Sequence, residues 1–213
     1  MIKRIIFDVD KTLIGKTDFT LAVVKTLKKH GIYNQYNVKG FKLAMEQYEL
    51  THDYYSKSEY LGFINTYIDT RMDMDFLFDY FEELKYAVPN PIYGVDIALE
   101  NLKNAGFKLV CLTNYFSISQ KSRLDTLGLG KYIDDIYGEH SSKPTKSSYL
   151  NAAGDNDPSE CVMVGDNFLL DVEVPNYLGF NTIYVTGQKQ RITDKYIEVE
   201  SVAQITPKLI KDL

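Results

Sequence analysis

Groups that could do chemistry recur in this sequence just after short apolar runs. Residues 2–9 run into Asp8-Val9-Asp10-Lys11-Thr12, and residues 108–113 end in Thr113-Asn114. Ser141, Ser142 and Lys143 follow the run at 133–137. Residues 161–164 lead into Gly165-Asp166-Asn167, with Asp171 a turn later. Such a set suits phosphoryl transfer. One carboxylate can attack phosphorus and carry the group as an aspartyl-phosphate. A second, two residues on, can protonate the leaving alcohol and then activate water. Oxygen ligands from separate strand ends can hold Mg²⁺ with waters completing its shell. The metal offsets the repulsion between the attacking carboxylate and the phosphate. A lysine, a threonine and backbone N–H groups can take the other phosphate oxygens.

Elements must bring these groups together. Residues 2–9 form a β-branched apolar run, which predicts a strand buried on both faces. From residue 15 to 89 the spacing turns helical. Asp18 can cap a helix with Phe19, Ala22, Val23 and Leu27 on one face, ending at Gly31. Phe41, Ala44, Met45 and Tyr48 repeat the pattern, as do Tyr60, Phe63, Ile64 and Tyr67, then Leu77, Tyr80, Phe81 and Leu84. Pro89 and Pro91 close this section.

Beyond it, helices (95–105, 118–127, 145–153, 169–178, 201–213) alternate with strands (108–113, 133–137, 161–164, 182–185). That order predicts a doubly wound parallel sheet of the α/β class, helices on both faces, with the all-helical block inserted after the first strand. Ligands of such sheets bind beyond the carboxyl ends of the strands, where strand order reverses. The reactive residues fall there.

Bulk properties exclude several classes. The 213-residue chain has a formal net charge of -5, which disfavours a nucleic-acid polymer as partner, since that requires a basic footprint. No apolar run is long enough to span a membrane. The N-terminal run is broken by Asp8, Asp10 and Lys11, unlike a signal peptide, so a cytoplasmic protein is expected. Cys111 and Cys161 sit in apolar strand-like runs and read as reduced core residues. With the scattered His30, His52 and His140 they make no zinc site.

Four motifs in register carry a resemblance. Asp8-Val9-Asp10-Lys11-Thr12-Leu13 resembles the first motif of the haloacid dehalogenase superfamily, Asp-x-Asp-Gly-Thr-Leu. Leu112-Thr113-Asn114 resembles the second, Lys143-Pro144 the third, and Gly165-Asp166 with Asp171 the fourth. Residues 94–185 are similar to that family throughout, and the helical block is least so.

The resemblance implies a core of residues 1–14 and 90–213 and a helical cap of 15–89. It implies Asp8 as nucleophile and metal ligand, and Asp10 as general acid/base that ligates Mg²⁺ through its backbone carbonyl. Asp166 would be the third protein ligand, with Asp171 supporting the metal or Lys143. Thr113, the backbone of Asn114 and Lys143 would hold phosphate, and Thr12 would brace the loop. Lys11 replaces the usual glycine and is expected to face solvent.

The implied activity is Mg²⁺-dependent hydrolysis of a small phosphate monoester, a sugar phosphate or nucleotide. A nucleoside monophosphate 5'-nucleotidase and a phosphosugar mutase remain as alternatives. Asp10 argues against dehalogenases and phosphonate hydrolases, which lack it. A phospho-receiver signalling module also uses acidic residues, Thr and Lys, but it is shorter and has no helical insert after its first strand. A base could stack on a cleft-facing ring, although most rings at this spacing belong to helix core.

Overall fold

The computed structural model describes residues 1–213 apart from Asp53, His140 and Ser141. Among the described residues, one seven-stranded sheet organises the fold. Its strands are β1 (Arg4–Phe7), β2 (Lys108–Leu112), β3 (Asp135–Tyr137), β4 (Cys161–Gly165), β5 (Asn181–Val185), β6 (Arg191–Ile192) and β7 (Ile197–Val199). They lie in the order β3-β2-β1-β4-β5-β7-β6. Every pairing is parallel except β6 with β7.

All four residues of β1 are buried because both sheet faces are covered. Alternation divides them. Ile5 and Phe7 join Leu109, Cys111, Val162 and Val164 in one cluster with Val95, Leu99 and Leu102 of α5 (Val95–Asn104). Ile6 joins Val110, Leu112 and Met163 on the other face, against Tyr149, Ala152 and Ala153 of α7 (Lys146–Ala153). Cys111 and Cys161 are buried and free, as expected.

Between β1 and α5 the described residues form four helices: α1 (Thr20–Lys29), α2 (Gln35–Thr51), α3 (Lys57–Tyr67) and α4 (Met74–Leu84). Their inward residues, among them Val23, Leu27, Phe41, Tyr48, Tyr60, Phe76 and Tyr80, form a separate hydrophobic cluster. Tyr115 and Phe116, which follow β2, extend into it. Asn34 and Asp73 accept from Asn37 N and Phe76 N at the starts of α2 and α4. At α1 the sequence placed Asp18 as the cap; Phe19 holds that position instead, and Asp18 accepts from Thr20 N at 2.9 Å. The chain leaves the sheet at Ile14 and returns at Pro91, where the two segments bridge antiparallel.

The C-terminal third departs from the sequence expectation. The helix expected over 169–178 is a π-helical turn, Phe168–Glu173, running into the short α8 (Val174–Tyr177). The helix expected over 201–213 is a 3₁₀ turn, Val202–Gln204, followed by α9 (Pro207–Lys211). Thr206 caps α9 through Leu209 N, and Pro207 sits in its first turn, so the helix starts there and no earlier. Strands β6 and β7 were not anticipated. Among the described residues no helix is long and apolar enough to cross a membrane.

Candidate active site

Strand order reverses between β1 and β4, and the sequence-predicted residues gather at that point. Phe7 is level with Cys111 of β2 and Val164 of β4, so Asp8 emerges between two neighbouring strand ends. Its backbone N–H donates to Val164 O at 2.8 Å, which fixes the exit of the chain.

Lys143 is the electrostatic centre of the group. It is only 3 % exposed, and its Nζ donates to Asp8 Oδ1 at 2.9 Å and Asp171 Oδ1 at 2.6 Å. Burial works against its charge, but Asp171 and Asp8 outweigh burial and hold the ammonium well above its ordinary range. Burial pushes the Asp8 carboxyl up to about 7, opposed by Lys143 and reinforced by Asp171. Burial likewise raises Asp166, with Lys11 as the main opposing charge.

Asp171 is wholly buried and also accepts from Asn167 N at 3.0 Å. The π-helical turn carries it there, beside Gly165. A Cβ on Gly165 would fall inside the Asp171 carboxylate, which is what requires glycine at this position. Gly165→Ala must therefore displace Asp171 from Lys143. We expect it to lose about 1–3 kcal/mol in denaturant unfolding, the usual cost of overpacking, with activity falling in parallel. Unchanged stability would mean that Asp171 has room to move.

The other residues surround this centre. Thr12 is buried and donates from Oγ1 to Asp8 Oδ2 at 3.3 Å, bracing the carboxylate itself. Thr113 Oγ1 accepts from Tyr115 N at 3.2 Å and Gln120 Nε2 at 3.1 Å, which orients its own proton to be donated elsewhere. The Asn114 side chain is committed to the Lys143 backbone, accepting from N at 2.8 Å and donating to O at 3.0 Å. Its backbone N–H is then what Asn114 can offer a phosphate. Ser142 donates to Glu139 O at 2.6 Å, and Ser141, which the sequence placed on this rim, lies outside the described residues, as does His140.

Lys11 was expected to face solvent. Its side chain is 62 % exposed, yet Nζ reaches to 4.0 Å from Asp166 Oδ2, and its backbone φ is 63°. That left-handed conformation costs an L-residue about 1–2 kcal/mol and accounts for the glycine common at this place in the motif.

Asp10 has partners the sequence reading missed. They are Gln120 and Arg123 on α6 (Ser117–Thr126), both fully buried. Arg123 donates from Nη2 to Asp10 Oδ1 at 2.8 Å and from Nη1 to Oδ2 at 3.3 Å. Gln120 Nε2 donates to Asp10 Oδ2 at 2.7 Å. A charged and an amide residue one turn apart, on a helix following the second motif, were the available signal.

A cleft of about 580 Å³ opens above these residues, lined also by Thr17, Phe19, Glu49, His52, Tyr55 and Tyr115. Carboxylate oxygens of Asp8, Asp166 and Asp171 all lie within 4.8 Å of one another. Such a hard, anionic oxygen set fits Mg²⁺. Because Lys143 and Asn167 already occupy Asp171, the fit rests on Asp8 and Asp166.

Comparison with known proteins accords with this architecture. A family model described as haloacid dehalogenase-like hydrolase matches residues 5–185. A phosphoglycolate phosphatase of Aquifex aeolicus is 28 % identical over 194 residues, covering 84 % of this chain and 82 % of its own. A magnesium-bound HAD hydrolase of Bacillus subtilis superposes with a TM-score of 0.69 at 19 % identity over 98 % of both chains. A HAD phosphatase of Thermococcus onnurineus gives 0.66 at 22 % over 94 % of both. The L-2-haloacid dehalogenase of Xanthobacter autotrophicus gives 0.67 at 18 % over both full lengths. The matched family region runs from β1 through β5 and so contains all four strand ends that carry the reactive residues: this chain belongs to the haloacid dehalogenase-like hydrolases.

Proposed function

We propose that the protein is a Mg²⁺-dependent phosphatase that hydrolyses a small phosphate monoester through an aspartyl-phosphate on Asp8. The observation that carries this is the buried Lys143, which holds Asp8 and Asp171 together on the floor of the cleft. Asp8, Asp166 and the backbone carbonyl of Asp10 would hold the ion. When bound, Mg²⁺ neutralises charge shared between the carboxylate and the phosphate. Asp8 attacks phosphorus, and the bond to the leaving oxygen breaks with its electron pair going to that oxygen. Asp10 gives its proton to the same oxygen, releasing an alcohol. Asp10 then takes a proton from water as the water oxygen attacks phosphorus, and the bond to Asp8 breaks to restore the carboxylate. Lys143, Thr113 and the Asn114 backbone hold the other phosphate oxygens throughout.

Residues 15–89 act as a cap that closes over the cleft, excludes water and selects the substrate. The separate hydrophobic cluster of α1–α4, and the adjacent exit and return at Ile14 and Pro91, support that division. A small ester is favoured over a nucleotide. Of the cleft rings, Tyr55 and Tyr115 are 7 % and 8 % exposed and meet edge to face, the half-buried Phe19 lies against Tyr115 and Arg123, and the half-buried His52 stacks on Tyr48, so each ring is already engaged by the protein. The name of the Aquifex aeolicus relative, a phosphoglycolate phosphatase, is consistent with a substrate of that size.

The purified protein should hydrolyse p-nitrophenyl phosphate with Mg²⁺ and not after chelation. On an alkyl phosphate, whose leaving group needs a proton, Asp10→Asn should cost about two to four orders of magnitude in rate while leaving Mg²⁺ affinity nearly unchanged, because its metal contact is the backbone carbonyl. Equal loss of rate and of Mg²⁺ affinity would reassign Asp10 as a side-chain ligand.

A further inference from the structure

Arg123 presents an arrangement that the reaction just described does not require. Its guanidinium is wholly buried, which is costly unless the charge is paired and its donors are used. The carboxylate it meets is Asp10, gripped by both terminal nitrogens. Those nitrogens also donate to Gln120 Oε1 at 2.6 Å and to Thr17 Oγ1. Gln120, itself fully buried, turns its amide outward and donates to Asp10 Oδ2 at 2.7 Å and Thr113 Oγ1 at 3.1 Å. One apparatus on α6 thus holds both oxygens of Asp10 and the hydroxyl of Thr113.

We infer that Arg123 and Gln120 are positioning residues for proton transfer by Asp10, fixing its carboxylate relative to the phosphate held by Thr113. The inference rests on the proposed phosphatase reading. Neither residue needs to touch substrate. A carboxylate on a two-bond side chain can adopt several rotamers, and general acid catalysis depends on hydrogen-bond geometry at the leaving oxygen. A bidentate guanidinium with an amide from a second direction selects one of them. Thr17 ties the same cradle to the connector between sheet and helices.

A purely structural role for Arg123, as a pillar between α6 and that connector, gives a different result in one experiment. A nitrophenolate departs without a proton, whereas an alkoxide needs one. The specificity constant kcat/KM reports the steps up to departure of that group. For Gln120→Leu we expect kcat/KM on glycerol 3-phosphate to fall roughly 10–100-fold more than that on p-nitrophenyl phosphate, whose smaller fall is the part carried by Thr113 and the larger excess the part carried by Asp10. Arg123→Met should show the same split more strongly, and Arg123→Lys, which keeps the charge without the fork, should recover part of it. Mg²⁺ binding measured by calorimetry should not change.

If Arg123→Met fails to fold, the uncharged Gln120→Leu carries the test alone. Equal losses on both substrates, no loss on either, or a parallel loss of Mg²⁺ affinity would overturn the inference while leaving the phosphatase reading intact. An active-site titration in which the unaltered protein hydrolyses neither ester would sink both.

Discussion

Asp8→Asn is expected to lose turnover by on the order of 10⁴–10⁶-fold, the scale on which removal of a covalent nucleophile registers, and yet to be the more stable protein without metal at neutral pH. The loss follows from chemistry, since an amide is a poor nucleophile and cannot carry the phosphoryl group. The gain follows from electrostatics. Burial raises the folded-state value of Asp8 from 3.8 to about 7. Between those values the folded protein keeps a proton that the unfolded chain has lost, so stability falls as pH rises through this window and levels off above it. Asparagine has no proton to lose, so the variant should lack that fall. The gap over the parent should open from pH 4 upward and reach on the order of 4 kcal/mol above pH 7. Thermal unfolding of both proteins in chelator, across pH 4–8, checks this. A parent that gains stability relative to the variant as pH rises would show that Lys143 overcompensates the burial of Asp8.

The second large effect is expected from Lys143→Met. The side chain is of similar length and the site is buried, so the change is mainly the loss of a charge. Asp8 and Asp171, the two carboxylates it pairs with, are then left without that cation, with Asp166 close beside them. Removing one partner of a buried pair costs about 3–5 kcal/mol. Because a divalent ion is the natural replacement for that charge, Mg²⁺ should raise the unfolding temperature of this variant more than that of the parent. Activity should not return with it, since the phosphate still lacks its ammonium; a fall of about 10²–10³-fold is expected, as for loss of one transition-state donor. Normal stability in chelator, with no added response to Mg²⁺, would mean that Asp8 and Asp171 do not depend on Lys143.

The two effects share a cause that was only partly legible in the sequence. The strand ends could be read because parallel strands covered on both faces are apolar up to their carboxyl ends, so Asp8, Thr113 and Asp166 stand out where each run stops. Asp171 lies in a segment for which the sequence predicts an ordinary helix over 169–178, and an ordinary helix would set it differently. The π-helical turn, with the space left by Gly165, is what buries it beside Lys143.

The α6 cradle was hidden for a related reason. Sequence periodicity assigns apolar residues to the inward face of a helix, but here Ile118 is exposed and Ser119, Gln120 and Arg123 are buried. An active site inverts the usual pattern because it needs polar groups inside. Strand β6 escaped because it is two exposed residues long, below the length at which alternation can be seen. The positive φ of Lys11 has no sequence signal in a lysine.

The central claim is that Asp8 carries the phosphoryl group, and the most direct measurement looks for that group on Asp8. Protein quenched with borohydride during turnover, digested and analysed by mass spectrometry, should contain homoserine at position 8, the product of reducing an aspartyl-phosphate. The modification should require both substrate and Mg²⁺ and be absent from Asp8→Asn. Active protein that yields no modification at position 8, or yields it at another carboxylate, would contradict the account.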